Sequence, residues 1–589
     1  MERLILPALL ALSLMLPPAP AADEIPVGSP TCALHKLGCL AHEPSSLTME
    51  EFVPNDSGIS IFRYGAFGAG MYPYCAAVPG KTYEIRIDGV PEAPISPFGP
   101  DLERIPPLLM DSLSVSGNTM MAVATRDSLP VQPLTRIDFL TGVRRRFRFQ
   151  GIFERRISER SGIRAFGMSD GIRGGETTGG NGLRLYGLTW RRTLTANTTV
   201  RVTVSGSRER NDLFDIGTPD FAEQNPGTPL SDRKRMGERE ADEKLASVGI
   251  VSRGVVKNGL FSSTAYVRNG IARFRRNGRS RSFADDSFGG AVNLTLGKPG
   301  ARYFLDVYHD TRTIDERSGS ISWSNSVTRV HGRSERTIGS ASLNLNGEIS
   351  YSSRYGAGYD TEGRLEHPLF GRWTAILGSS VSREFPGPHH ELYPSLTFTD
   401  SLFETRLHRY RMFEMETGVK NNLGPVEIGC YGYTGQAEIP FFLPPPELLR
   451  MSGSERYTGW RSTISARGGD RVIYRADMRM DYTGGPGKRY AWPRPSWELL
   501  ARGNLSRSFF SDALITSLHG KAHIVRWQDG PSTPNGTLAL LDAGISARVS
   551  SLLFTYTIEN IANRDMRWFD AFGWQGRNAY WGIRWNFQN

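Results

Sequence analysis

From Val131 to the C-terminus the chain alternates apolar and polar residues in segments of about ten. Phe147, Phe149, Phe153 and Ile157 are apolar, whereas Arg146, Arg148, Gln150, Glu154 and Arg156 are polar. The same rhythm sets Val472, Tyr474, Ala476, Met478 and Met480 against Arg471, Arg475, Asp477, Arg479 and Asp481. Near the end, Leu541, Ala543, Ile545, Ala547 and Val549 alternate with Asp542, Gly544, Ser546 and Arg548, and Leu552, Phe554, Tyr556 and Ile558 follow. The final segment sets Trp581, Ile583, Trp585 and Phe587 against Gly582, Arg584 and Asn586. A period of two sends successive side chains to opposite faces of a sheet, so these segments are strands. Ile152, Arg155 and Ile473 break the pattern.

A soluble sandwich also alternates, so two further features have to decide. Connections alternate in length: 296–300, 369–371 and 422–425 read as tight turns, whereas 209–243, 313–336 and 439–460 are long and polar or Pro-rich. Short turns on one side and long loops on the other are the rhythm of a transmembrane barrel. Aromatics also gather near strand ends, as in Trp568, Phe569, Phe572, Trp574 and Tyr580, which suits interfacial girdles. Phe147, Tyr474, Leu552 and Trp585 are then expected on the lipid face, with Arg148, Asp477 and Arg584 in a wet lumen. A barrel from about Leu134 to Asn589 gives roughly 21 residues per strand for about 22 strands, with 360–384 readable as one long strand or two.

Composition narrows the class further. Lys+Arg number 70 and Asp+Glu 60, a net +10, with 39% hydrophobic residues and 4 Cys. Helical membrane bundles are more apolar and disulfide-stapled modules richer in Cys. The arginines are spread along the chain instead of forming one patch, which argues against nucleic acid as a partner. Arg3, the apolar run 4–16 and Ala19-Pro20-Ala21 read as a signal peptide over residues 1–21, without a Cys for a lipid anchor. No later run of 18 apolar residues offers a spanning helix. The expected location is the cell outer membrane.

The C-terminal residues resemble a known family. Glu559-Asn560-Ile561-Ala562-Asn563-Arg564-Asp565, followed by Gly576-Arg577-Asn578-Ala579-Tyr580-Trp581-Gly582-Ile583-Arg584-Trp585-Asn586-Phe587, is similar to the end of TonB-dependent outer-membrane receptors. In that family the terminal aromatic is read by the barrel-assembly machinery, a role that passes to Phe587 with Trp585, although Gln588 and Asn589 follow. Residues 47–117 resemble a shortened form of the family's plug: Tyr83 to Pro91 matches its "LIDGVP" strand and turn through Asp88 and Gly89, and Asp101-Leu102-Glu103-Arg104-Ile105-Pro106 its "DL-RIP" stretch. Physically, Asp88-Gly89 is a turn signal and Ile105-Pro106 an extended corner, both structural roles. Where the family carries Arg-Gly-Pro, this chain has Val115-Ser116-Gly117-Asn118-Thr119, and residues 23–27 stand where a TonB-pairing segment belongs.

The resemblance implies an all-β fold with a signal peptide (1–21), a reduced plug-like domain (22–130) and an antiparallel transmembrane barrel (131–589) holding the plug in its lumen. It implies a receptor that imports a solute too large for general porins, such as a metal chelate or glycan. The implied partners are outer-membrane lipid, the TonB-ExbB-ExbD complex and the barrel-assembly machinery. The alternative is a porin-like or structural barrel with a static plug remnant and no TonB coupling.

No enzymatic constellation or cofactor motif is expected. Gly65 to Gly70 lack a following helix, and His389, His390 and Glu391 sit in a Pro-rich loop. Cys32 and Cys39 are spaced for a local disulfide in an exported chain, with a metal clip through His35 and His42 as the lesser reading, and Cys75 and Cys430 have no evident partner. Ligand-facing candidates are Phe441 and Phe442 in a Pro-rich loop, Arg233 and Arg235 in a basic one, and Arg63 and Tyr64 in the plug.

Overall fold

A computed structural model describes residues 35–36, 59–63, 71–75, 84–92 and 101–588, apart from 117–119, 126–129, 143–145, 173–180, 215–234, 254–258, 277–278, 299, 320, 386–409, 441–451, 470–471, 485–494, 528–536, 564–565, 570–571 and 575–576. The N-terminal part contains β1 (His35–Lys36), β2 (Ile59–Arg63), β3 (Met71–Cys75), β4 (Glu84–Ile87), β5 (Val90–Glu92), β6 (Met110–Ser116) and β7 (Met120–Thr125). Five of these form one sheet in the order β1-β6-β7-β4-β5, with β4 and β7 parallel, while β2 and β3 pair apart. The hairpin of β6 and β7 forms even though Val115 to Thr119 departs from the family's pattern.

The barrel opens with β8 (Leu134–Gly142), β9 (Arg146–Ser158), β10 (Ser161–Ile172), β11 (Asn181–Thr195), β12 (Thr198–Phe214), β13 (Arg235–Arg253) and β14 (Gly259–Arg276). It continues through β15 (Arg279–Lys298), β16 (Ala301–Glu316), β17 (Ser322–Ile338), β18 (Ala341–Ser352), β19 (Gly356–Pro368), β20 (Trp373–Glu384) and β21 (Tyr410–Asn422). Then come β22 (Val426–Pro440), β23 (Ser452–Gly468), β24 (Val472–Gly484), β25 (Pro495–Phe509), β26 (Leu514–Trp527), β27 (Thr537–Val549) and β28 (Leu552–Glu559). A small hairpin, β29 (Met566–Phe569) and β30 (Phe572–Trp574), interrupts the last connection before β31 (Asn578–Gln588). β31 pairs with β8, so 22 antiparallel strands close and no edge is left open.

Connections on one rim, such as 159–160, 339–340 and 550–551, are two to five residues long. On the other rim they include 215–234, 385–409 and 560–577. In transmembrane barrels these rims are periplasmic and external respectively. The expected long loop over 313–336 is instead β16 and β17 joined by the five residues 317–321. Its strands carry Thr311, Thr313, Ser324 and Ser326 on the outward face, which hides the alternation where the sheet rises past the lipid. Likewise 209–243 and 439–460 are partly strand, and 360–384 is two strands, β19 and β20.

The outward face is an apolar belt that includes Tyr186, Leu188, Val204, Ile349, Leu377, Ile545 and Trp585, all exposed. Arg584 points the other way and pairs with Asp138 at 3.1 Å, and Arg148 is buried inside. Ile152 departs from the alternation because it faces the plug, packing with Leu108 and Leu109. The closing seam is tight: a Cβ on Gly142 would run into the Tyr580 ring and lie 2.6 Å from the Ala579 carbonyl, so only glycine fits there. Cys430 is a free thiol exposed on the outward face.

Candidate functional site

The site that the fold assembles is the seat of the plug on the lumen wall. β4 and β5 are joined by Asp88 and Gly89, both at positive φ (51° and 86°), a tight turn whose second position suits glycine. A Cβ at Gly89 would meet Ala291 Cβ at an ordinary contact distance of 3.4 Å, so it is the positive φ that calls for glycine where the turn meets the wall. Asp88 accepts hydrogen bonds from the Thr125 amide at 2.9 Å and hydroxyl at 2.7 Å, and pairs with Arg201 of β12 at 3.1 Å. The Thr264 hydroxyl donates to the Asp88 carbonyl at 3.2 Å, and Arg268 donates to the Pro91 carbonyl.

Arg86, two residues before that turn, is almost fully buried. It donates to Glu84 at 2.6 Å and to the Gly89 carbonyl at 3.1 Å, pairs with Asp310 of β16, and lies 4.3 Å over the Tyr308 ring. Arg329 of β17 reaches Glu84 from the other side. Burial alone would raise the Glu84 carboxyl, but Arg329 and Arg86 outweigh it and hold it at about 2. Desolvation pulls the Arg86 guanidinium down, and Glu84 and Asp310 reverse this, so its pKa is raised.

Asp101 caps a short 3₁₀ turn, Leu102–Arg104, by accepting from the Glu103 amide at 2.9 Å. That turn aims Arg104 at three carboxylates: Glu92 at 2.7 Å in the plug, and Glu209 of β12 and Glu243 of β13 at 2.5 Å each. Burial works against the Arg104 charge, yet Glu243, Glu92 and Glu209 carry its pKa well above the ordinary value. The neighbouring Glu103 meets Arg148 of β9 at 2.6 Å, and Arg148 also holds Asp170 of β10. Pro106 starts the next 3₁₀ turn, Pro107–Leu109, whose leucines rest on Ile152.

Thus Asp88, Gly89, Asp101, Arg104 and Pro106 converge on the plug seat, and Trp585 and Phe587 lie on the closing strand with ring centroids 3.7 Å apart. Arg63 and Arg235 fall on strands at places where no side chain is described. Tyr64, Arg233, Phe441, Phe442, Cys32, Cys39, residues 1–21 and the 23–27 segment lie outside the described residues. Sequence reasoning did not single out Glu84, Arg86, Glu92, Glu103 or their wall partners Glu209, Glu243, Asp310 and Arg329. Charged residues at inward strand positions were the available signal.

Across the lumen wall a second charge row crosses four strands. His523 of β26 meets Glu498 of β25 at 2.7 Å, Glu498 meets Arg479 of β24 at 3.4 Å, Arg479 meets Asp481 at 2.7 Å, and Asp481 meets Arg461 of β23 at 2.6 Å. Among the described residues no group of His, Cys, Asp and Glu is placed to hold a metal ion.

No protein-family model and no curated protein matches the sequence. Solved structures do. The siderophore receptor PirA from Pseudomonas aeruginosa superposes with a TM-score of 0.68 at 12% identity, over 95% of this chain and 100% of that one. A variant of the ferric enterobactin receptor PfeA from the same organism, in complex with enterobactin, gives 0.69 at 12%, over 94% and 99%. The chain has their fold. The FrpB iron transporter from Neisseria meningitidis agrees, at 0.70 and 11% identity over 93% and 97%. The 22-strand barrel with an internal plug is therefore a fold that this chain shares with solved siderophore receptors and an iron transporter.

Proposed function

We propose that this chain is an outer-membrane receptor that binds a solute too large for general porins and admits it when the plug moves. The observation that carries this reading is the plug seat: Arg86 and Arg104 tie a small sheet into a 22-strand lumen through buried ion pairs to β12, β13 and β16. A plug seated in the lumen through such pairs suits a gate for a selected cargo. An iron chelate is the favoured class, because the solved structures sharing the fold are receptors and transporters for iron or siderophores.

In this reading residues 1–21 are the signal peptide, 22–130 the plug and 131–589 the barrel. Arg63, Tyr64, Phe441, Phe442, Arg233 and Arg235 face the ligand, residues 23–27 engage TonB-ExbB-ExbD, and Trp585 and Phe587 serve the barrel-assembly machinery. Cys32 and Cys39 form a disulfide. The test is uptake of radiolabelled iron on a panel of siderophores in cells with and without TonB, using the intact chain and a deletion of residues 23–27. TonB-dependent uptake that the deletion abolishes, with binding to cells retained, is expected. Uptake that survives both losses would establish the porin-like alternative instead.

A further inference from the structure

The plug turn lands on three adjacent wall strands, where the register arranges inward residues in two rows. Across β14, β15 and β16, Thr264, Ala291 and Tyr308 stand side by side, and Tyr266, Gly289 and Asp310 form the next row. The middle strand supplies only small residues at these places, so a trough runs along β15 flanked by Tyr266 and Tyr308. The turn lies against it: a Cβ on Gly89 would meet Ala291 Cβ at 3.4 Å and Thr264 Cβ at 3.6 Å, and Arg86 stacks over the Tyr308 ring.

The trough also lets two wall residues meet across it. Tyr266 and Asp310 sit on strands that are not hydrogen-bonded neighbours, with Gly289 between them in register. Because Gly289 has no side chain, the Tyr266 hydroxyl crosses β15 and donates to Oδ1 of Asp310 at 2.8 Å. A Cβ at Gly289 would lie 2.7 Å from that same oxygen and would run into the His309 carbonyl. Oδ2 of Asp310 is then the oxygen that takes Arg86. Arg312, two residues along β16, is committed to Asp285 by bonds of 2.8 and 2.6 Å, so it does not draw Asp310 away from the plug. Tyr266 itself is almost fully buried, and a phenol so placed usually keeps a hydrogen-bond partner.

We propose that Tyr266 is the positioning residue of the Arg86 seat: acting across Gly289, its hydroxyl fixes the Asp310 carboxylate so that, together with the Tyr308 face, the wall presents a preformed guanidinium site to the plug. A carboxylate held at one oxygen no longer has to be immobilised when the other meets a cation, and the cation adds a charge-assisted bond and a ring face. The proposal rests on the reading of this site as a plug seat and stands whatever the chain transports.

The experiment follows hydrogen exchange of the β4 amides in the full-length protein in detergent, with heat-modifiable migration confirming that each variant keeps a closed barrel. Arg86→Ala should speed that exchange. Tyr266→Phe, which removes one oxygen and leaves the ring, should speed it about tenfold, and should add little in the Arg86→Ala background because it acts through that guanidinium. Ethylguanidinium replaces the atoms that Arg86→Ala deletes, so it should restore protection at roughly millimolar concentration where ethylammonium does not, and Arg86→Ala/Tyr266→Phe should need about tenfold more of it. A side chain that merely filled space would leave this titration unmoved. Should Tyr266→Phe not close a barrel, Tyr266→Gln, which keeps a donor, is compared with Tyr266→Leu: better protection with the glutamine supports the proposal and equal protection overturns it. Unchanged β4 exchange in Tyr266→Phe, no rescue by ethylguanidinium, or equal rescue with and without the hydroxyl would overturn the proposal and leave the seat standing. Unchanged exchange in Arg86→Ala would overturn the seat reading and the proposal with it.

Discussion

Replacing Arg104 by Met should free the plug while leaving the barrel closed. The guanidinium is 6% exposed and serves Glu92, Glu209 and Glu243, themselves 13%, 6% and 11% exposed. Removing it takes away the cation that the three carboxylates share, leaving Arg239 at 2.6 Å from Glu209 and Arg268 at 4.0 Å from Glu92. Breaking a buried pair by deleting one partner costs about 3–5 kcal/mol. If that cost falls on the seated state, the fraction of molecules with the plug loosened rises roughly a hundredfold to a few thousandfold. Hydrogen exchange resolves the effect, since amides of β4, β6 and β7 should exchange faster by about that factor, whereas those of β20 to β25 should not change. Adding Glu243→Gln to Arg104→Met should recover part of the protection by lowering the repulsion, and Arg104→Lys should fall between, because one ammonium cannot satisfy three carboxylates in fixed directions. Unchanged exchange in the plug of Arg104→Met would refute the idea that this seat holds the plug.

The Glu84 seat should respond to acid in a defined window: its carboxyl is depressed from 4.5 to about 2, so its contribution is complete above the unfolded value and is lost as pH falls from about 4.5 toward 2. Plug protection should therefore be equal at pH 7 and 5 and weaker at pH 3, and Glu84→Gln should reduce that pH dependence, Glu243 of the other seat accounting for part of the rest. Leu345→Arg, on the outward face, should cost roughly 2–4 kcal/mol of barrel stability, while Asn344→Arg, inward and opposite Glu335, should cost little. Equal heat-modifiable midpoints for the two would refute the register of β18. Gly142→Ala should destabilise the β31–β8 seam by about 1–3 kcal/mol, read as a lower midpoint for heat-modifiable unfolding.

The sequence pattern disclosed the barrel because every strand segment crossing lipid must obey a period of two; it was read from Val131, and β8 opens at Leu134. The pattern failed where the constraint ceases. β16 and β17 rise past the belt with Thr313 and Ser324 outward, so both faces are polar there and the segment looks like a loop. Ile152 looked like an error in alternation and is instead the wall's apolar contact with Leu108 and Leu109. The plug's turn chemistry was also legible at Asp88-Gly89, since only a few residues tolerate positive φ there. The seat was not. Arg86 and Asp310 are separated by 224 residues, and Glu84 and Arg329 by 245, so nothing local pairs them.

The same pairing bears on how the gate can work. Arg86 and Arg104 anchor neighbouring parts of one small plug, and Asp88 and Glu103 bind the wall at Arg201 and Arg148. Releasing the plug returns both partners of each pair to water, so each seat resists by less than the cost of deleting one partner, and the resistance to release is the sum over several seats. A ligand acting only on the outer loops must supply that whole difference through its affinity for one plug position over another. A mechanical pull on the N-terminal segment can supply it from outside. On the proposed receptor reading, the hold of these seats on the plug is what an energy source would have to overcome.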